Sequence, residues 1–177
     1  VSTVLLVNLI KIRWLAIVGQ LIALFTIFFI FNFTIPLSEC LFVVLLSILV
    51  NIISYFIQRG NSTLTDKKTF LFLLFDISQL VVLLYLTGGI FNPFVILILA
   101  PIIISASYLS SFWTILLSLY SIVLILIINF NYIPLNWEQK FITPSLYNIG
   151  ILVALIITIV FLAIYAYLFA SSARKIS

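Results

Sequence analysis

Residues 69–86 read TFLFLLFDISQLVVLLYL, and this stretch decides the fold. It is apolar almost throughout, carries one acidic side chain, Asp76, and contains neither glycine nor proline. Its length approaches the roughly 20 residues a helix needs to cross a hydrocarbon core. A lipid-facing barrel strand would alternate apolar and polar residues, and this run does not. Backbone groups in lipid must be satisfied inside a helix or a closed barrel, so the stretch reads as a membrane-crossing helix.

Comparable runs recur along the chain. Apolar residues make up 66% of the sequence and charged residues 7%, whereas a soluble domain carries about 25% charged residues. The chain cannot cover itself with a polar surface, and its solvent is lipid. The expected fold is all-α: a polytopic six-transmembrane-helix bundle with spans near 14–31, 37–57, 69–86, 94–109, 112–129 and 147–170, one domain over residues 1–177. Residues 1–12, with Asn8 and Lys11 interrupting apolar sequence, read as a short lead-in helix along the inner membrane surface. Gln58 to Lys68 is the strongly polar internal loop, and a longer loop with Pro134, Trp137 and Pro144 precedes the last span.

Basic residues set the orientation. With the N-terminus inside, Lys11, Arg13, Arg59, Lys67, Lys68, Arg174 and Lys175 fall on the cytoplasmic side and Lys140 alone falls outside. Both termini are therefore expected in the cytoplasm of a bacterium, with the chain multi-pass in the inner (plasma) membrane. Trp14 and Trp113 then lie at the inner interface and Trp137 at the outer one. The net charge of +4 is scattered among apolar spans rather than clustered, which excludes a nucleic-acid surface. No small-residue cleavage pattern follows Lys11 and Arg13, so no cleavable signal peptide is expected. The missing initial methionine suggests a piece of a longer protein.

The sequence contains no histidine, no methionine and one cysteine, Cys40. That excludes haem held by His or Met, histidine metal sites and an intrachain disulfide. Cys40 reads as a small apolar residue. After Thr143-Pro144, a hydroxyl cap with proline at the first helical position, no breaker occurs before Ser177. A continuous helix of that length is about 50 Å long and projects beyond the bilayer. Ala163, Ala166, Ala170 and Ala173 give it a small-residue stripe, suited to intramembrane packing or to a dimer seam.

The specific chemistry lies at Gly88-Gly89-Ile90-Phe91-Asn92-Pro93-Phe94. Two glycines permit positive φ and close approach. Pro93 forces Asn92 extended, Asn92 can cap the fourth helix and Pro93 takes its first position. That leaves backbone N–H groups at the helix start to attract a carbonyl oxygen, with Phe91 and Phe94 as flat apolar faces. A membrane-dissolved quinone offers a matching carbonyl and ring. The plainer alternative is a helix-hairpin turn with ordinary caps.

The stretch from Leu86 to Phe94 resembles the GGxxNPF signature of RegB/PrrB-type (ActS-like) redox sensor histidine kinases. Ile12-Arg13-Trp14-Leu15-Ala16, Gly19-Gln20, Asp76 and Gln79 resemble that family's flanking sequence. The resemblance covers essentially the whole chain. It implies a six-span sensor of the ubiquinone pool, with Gly88, Gly89, Asn92, Pro93 and Phe94, and Phe91 at a variable position, binding ubiquinone as sensed ligand. It further implies a homodimer in which oxidised quinone lowers the activity of an attached cytoplasmic kinase that phosphorylates a response regulator. Without a histidine this chain has no phosphoacceptor. It is not itself an enzyme, and the cytoplasmic kinase domains are absent from it.

Asp76 is the one acidic residue deep in a span, about 10 Å in by helix rise. Gln79 shares its face, and Gln20, Asn51, Ser105 and Ser118 lie at similar depth. The expectation is an inner-half polar layer with Asp76 hydrogen-bonded to some of these side chains, roughly 15–20 Å from the heptapeptide. The layer can fix helix register or act as a two-state element. The competing functional reading is a small transporter or proton-conducting bundle using Asp76.

Overall fold

The computed structural model describes residues 4–57, 63–137, 149–150, 152–153 and 156. The element carrying the diagnostic run is α3, Asp66–Leu86. Its helix starts three residues before the apolar run because Thr65 is extended at the cap and Asp66 sits in the first turn, where a carboxylate is favoured by the helix dipole. Half of its apolar stretch is buried, against 17–33% for the other long apolar helices among the described residues, so α3 is the central one of these.

Around it stand α1 (Leu6–Phe25), α2 (Leu37–Ile57), α4 (Leu99–Tyr108) and α5 (Ser111–Phe130). Among the described residues, four helical stretches, Leu6–Ile30, Leu37–Phe56, Asp66–Leu86 and Ser111–Phe130, are long and apolar enough to cross a membrane. Large apolar side chains such as Phe42, Phe112 and Phe130 are exposed on their outer faces. Water does not tolerate such a continuous apolar surface and lipid does.

Two details depart from the sequence expectation. The lead-in is no separate surface helix: from Leu6 it runs without a break into α1, which continues through a π-helical turn at Thr26–Ile30. Lys11 projects from the exposed side, while Leu6, Leu9, Ile10 and Ile12 are buried with Leu64, Phe70 and Leu73. A polar residue on the outer face of a helix need not end it. The fourth element begins as a 3-10 helix, Pro93–Ile98, before becoming α4. Pro101 in the first turn of α4 lacks the N–H that an i→i−4 bond to Leu97 would need, which favours the tighter winding upstream. With the longer 3-10 rise, these 16 residues extend roughly 27 Å.

Among the described residues, two short antiparallel ladders tie the ends of the bundle. At one end β1 (Val4–Leu5) pairs with β3 (Thr63–Leu64), joining the start of α1 to the loop before α3. At the other, β2 (Phe33–Thr34) pairs with β4 (Asn136–Trp137), joining the α1–α2 connection to the segment after α5. The heptapeptide lies at this second end. Of the last predicted span, the described residues 149–150, 152–153 and 156 are helical. The alanine stripe, Thr143-Pro144, Lys140, Arg59, Arg174 and Lys175 lie outside the described residues.

Candidate functional site

The turn after α3 is built by its glycines. Gly88 has φ +103° and Gly89 φ +62°, conformations that cost a side-chain-bearing residue energy. The Gly88 N–H donates to the Ile133 carbonyl at 3.0 Å, and the Ile133 N–H donates to the Tyr85 carbonyl at 2.8 Å. A Cβ on Gly89 would lie 2.7 Å from Tyr132 Cβ and 3.0 Å from the Ile128 carbonyl oxygen. Both glycines therefore let the segment after α5 lie against the turn. Phe91 joins this outward group, its ring 5.7 Å from that of Tyr132 and its surface exposed.

Asn92 points the other way and is buried. Its Oδ1 accepts from the Phe94 N–H at 2.9 Å. Its Nδ2 donates to Thr87 twice, to the carbonyl at 3.1 Å and to Oγ1 at 2.8 Å. Thr87 Oγ1 in turn donates to the Leu83 carbonyl at 2.6 Å. Pro93 opens the 3-10 helix, and the Val95 N–H donates to the Asn92 carbonyl at 3.0 Å. The expected unpaired N–H groups at this helix start are thus used internally. Asn92 performs the capping role, and a one-residue-deep network locks the turn to the end of α3.

The expected polar layer is rearranged. Asp76 pairs with none of Gln20, Asn51, Ser105 or Ser118 but with Arg13: Nε donates to Oδ1 at 2.8 Å and Nη2 to Oδ2 at 3.1 Å. The guanidinium also lies 5.1 Å from the Phe72 ring centre and 5.7 Å from that of Phe75, a cation–π setting that favours a charge away from water. Gln79 and Gln20 form a second rung, each amide donating to the other at 3.0 and 2.9 Å. Asn51 Nδ2 donates to the Ile10 carbonyl at 3.2 Å, pinning α2 to α1. Ser105 and Ser118 donate to the Ile102 and Thr114 carbonyls of their own helices and join no layer. Sequence reasoning missed Arg13 as a partner because its span began at Trp14. Once α1 starts at Leu6, Arg13 is two turns inside the helix and buried.

Both rungs cross from α1 to α3, and beside them lies a cavity of about 370 Å³. Thr87, Asn92 and Phe94 line it toward the heptapeptide, and Arg13, Asp76, Gln20 and Gln79 line its deeper part. Ala16, Gly19 and Ala23 form its low wall on α1, and a Cβ placed on Gly19 would meet nothing within 4 Å. Val18 and Ile22, exposed on the outer surface of α1, also border it, so the cavity reaches the surface that faces lipid. Gly88, Gly89, Phe91 and Pro93 do not line it. Cys40 is fully buried with Ile17, Val44 and Leu83.

Long apolar helices around a largely buried ion pair and a mostly apolar cavity define an all-helical membrane domain. The chain is 34% identical over 172 residues, 96% of its length, to the sensor histidine kinase RegB of Cereibacter sphaeroides. A second RegB, from a particular strain of the same species, is 35% identical over 73 residues, 41% of this chain. The chain belongs with the membrane domains of RegB-type sensor histidine kinases. It spans 37% of the length of the first relative and matches 16% of the second. No protein-family model matches the chain, and no solved structure does.

Proposed function

We propose that this chain is the sensing part of a redox-responsive two-component kinase, reading the ubiquinone pool in a bacterial inner membrane. In this reading it crosses the membrane six times with both termini in the cytoplasm. It works as a homodimer, and its last helix carries the signal to a kinase core that phosphorylates a response regulator. The single observation that supports it most is the cavity between α1 and α3, bordered by exposed Val18 and Ile22 and running from Asn92 to the Arg13–Asp76 rung. An apolar, lipid-accessible cleft with a few convergent polar groups suits a small ring carrying carbonyl oxygens. Binding would shift the spacing of α1 and α3 through differential affinity for two helix arrangements.

Proton conduction through Asp76 fits less well, because both carboxylate oxygens accept hydrogen bonds from Arg13. The test is titration of the domain in nanodiscs with a short-tailed ubiquinone, against empty nanodiscs. Saturable binding of about one quinone per chain is expected. Uptake no greater than that of the lipid alone would end the quinone reading.

A further inference from the structure

The hydrogen-bonding capacity around the cavity is unevenly distributed. At the heptapeptide end it is largely engaged: Asn92 Nδ2 donates to both the carbonyl and the hydroxyl of Thr87, the Thr87 hydroxyl goes to Leu83, and Asn92 Oδ1 caps Phe94. Among the described residues, a carbonyl oxygen arriving there would meet no lining side-chain donor that is not already engaged. The deeper end differs. A primary amide carries two N–H groups, and in the reciprocal Gln20–Gln79 pair each amide spends one on its partner. The ring so formed leaves one N–H of each glutamine directed outward. Both residues line the cavity, beside the Arg13–Asp76 pair, whose nearest donors and acceptors face each other. The walls are otherwise mostly apolar, so an acceptor there competes with little water and gains a bond in a low-dielectric setting.

We propose that the Gln20–Gln79 amide pair, and not the heptapeptide, donates the hydrogen bond to a carbonyl oxygen of the bound quinone. The inference rests on the quinone reading above. The heptapeptide then shapes the mouth of the cleft: Asn92 holds the turn closed against α3, and Phe94 supplies an apolar wall. The Arg13–Asp76 rung, on the same two helices, fixes the separation across which the glutamines meet. The pair is thereby a binding element joining α1 to α3, so occupancy bears directly on how those helices sit.

The experiment uses ubiquinone labelled with ¹³C at its carbonyls, bound to the domain in nanodiscs and read by affinity and by the infrared carbonyl stretch. In the unaltered protein the stretch is expected below its position in plain lipid, as a hydrogen-bonded carbonyl requires. The double variant Gln20→Leu/Gln79→Leu removes both partners and leaves no orphaned polar group, so the bundle is expected to fold. It should bind roughly tenfold more weakly, with the stretch returned to the lipid position. Gln79→Met, similar in length and without an N–H, is the second variant and should shift the stretch in the same direction. Unchanged affinity and an unchanged stretch in these variants would overturn the assignment while leaving quinone binding intact. No saturable binding by the unaltered protein would overturn both.

Discussion

Arg13 of α1 grips Asp76 of α3 with two parallel hydrogen bonds, Nε to Oδ1 at 2.8 Å and Nη2 to Oδ2 at 3.1 Å. The residues are 63 positions apart, and their helices meet here through long side chains beside a cavity. The arginine side chain is 4% exposed and the aspartate 26%. Removing Asp76 leaves a buried arginine unpaired, and removing Arg13 leaves a largely buried aspartate without its partner. Arg13→Leu or Asp76→Leu should therefore destabilise the domain by about 3–5 kcal/mol, whereas the double leucine variant should be close to neutral or more stable. Denaturant unfolding in detergent checks this. A double variant as unstable as the worse single one would mean the pair is not what joins these helices.

Glycines in different settings should respond oppositely. Gly89→Ala places a Cβ 2.7 Å from Tyr132 and keeps φ at +62°, so it should cost about 1–3 kcal/mol. Gly19→Ala meets open space inside α1 and should stabilise by up to about 1 kcal/mol through helix propensity. Thermal melting of the two variants side by side distinguishes them.

Asn92 offers a finer dissection. Asn92→Ala loses the cap on Phe94 and both bonds to Thr87, an expected loss of about 2–4 kcal/mol. Asn92→Asp keeps the cap acceptor but removes the donor to Thr87. Hydrogen exchange should then accelerate at Phe94 and Val95 in the alanine variant and much less at Phe94 in the aspartate variant. Equal exchange at Phe94 in both would show that the cap does not hold this turn.

Filling the cleft tests its use without touching a polar group. Gly19→Leu puts a side chain into the space beside Ala16 and Ala23 while α1 keeps its length. Quinone binding should fall at least tenfold, with the melting temperature retained or raised. Undiminished binding by a folded Gly19→Leu protein would locate the quinone elsewhere.

The helical lipid-facing character and the place of the sharp turn were legible in the chain itself. Both rest on local physics: uninterrupted apolar runs cannot leave backbone groups unpaired in lipid, and Gly88-Gly89 with Asn92-Pro93 dictates left-handed φ, a cap and a helix start within seven residues. The limits of α3 and α5 follow within a few residues for the same reason. The partner of Asp76, the Gln20–Gln79 rung and the cavity were decided by the tertiary structure alone. They depend on how far α1 is rotated toward α3 and how widely the two stand apart, and small residues such as Ala16 and Gly19 acquire meaning only when a second helix faces them. Arg13 shows the difference most clearly: as sequence it reads as an inner-leaflet anchor, and one continuous helix from Leu6 converts it into a buried ionic clasp.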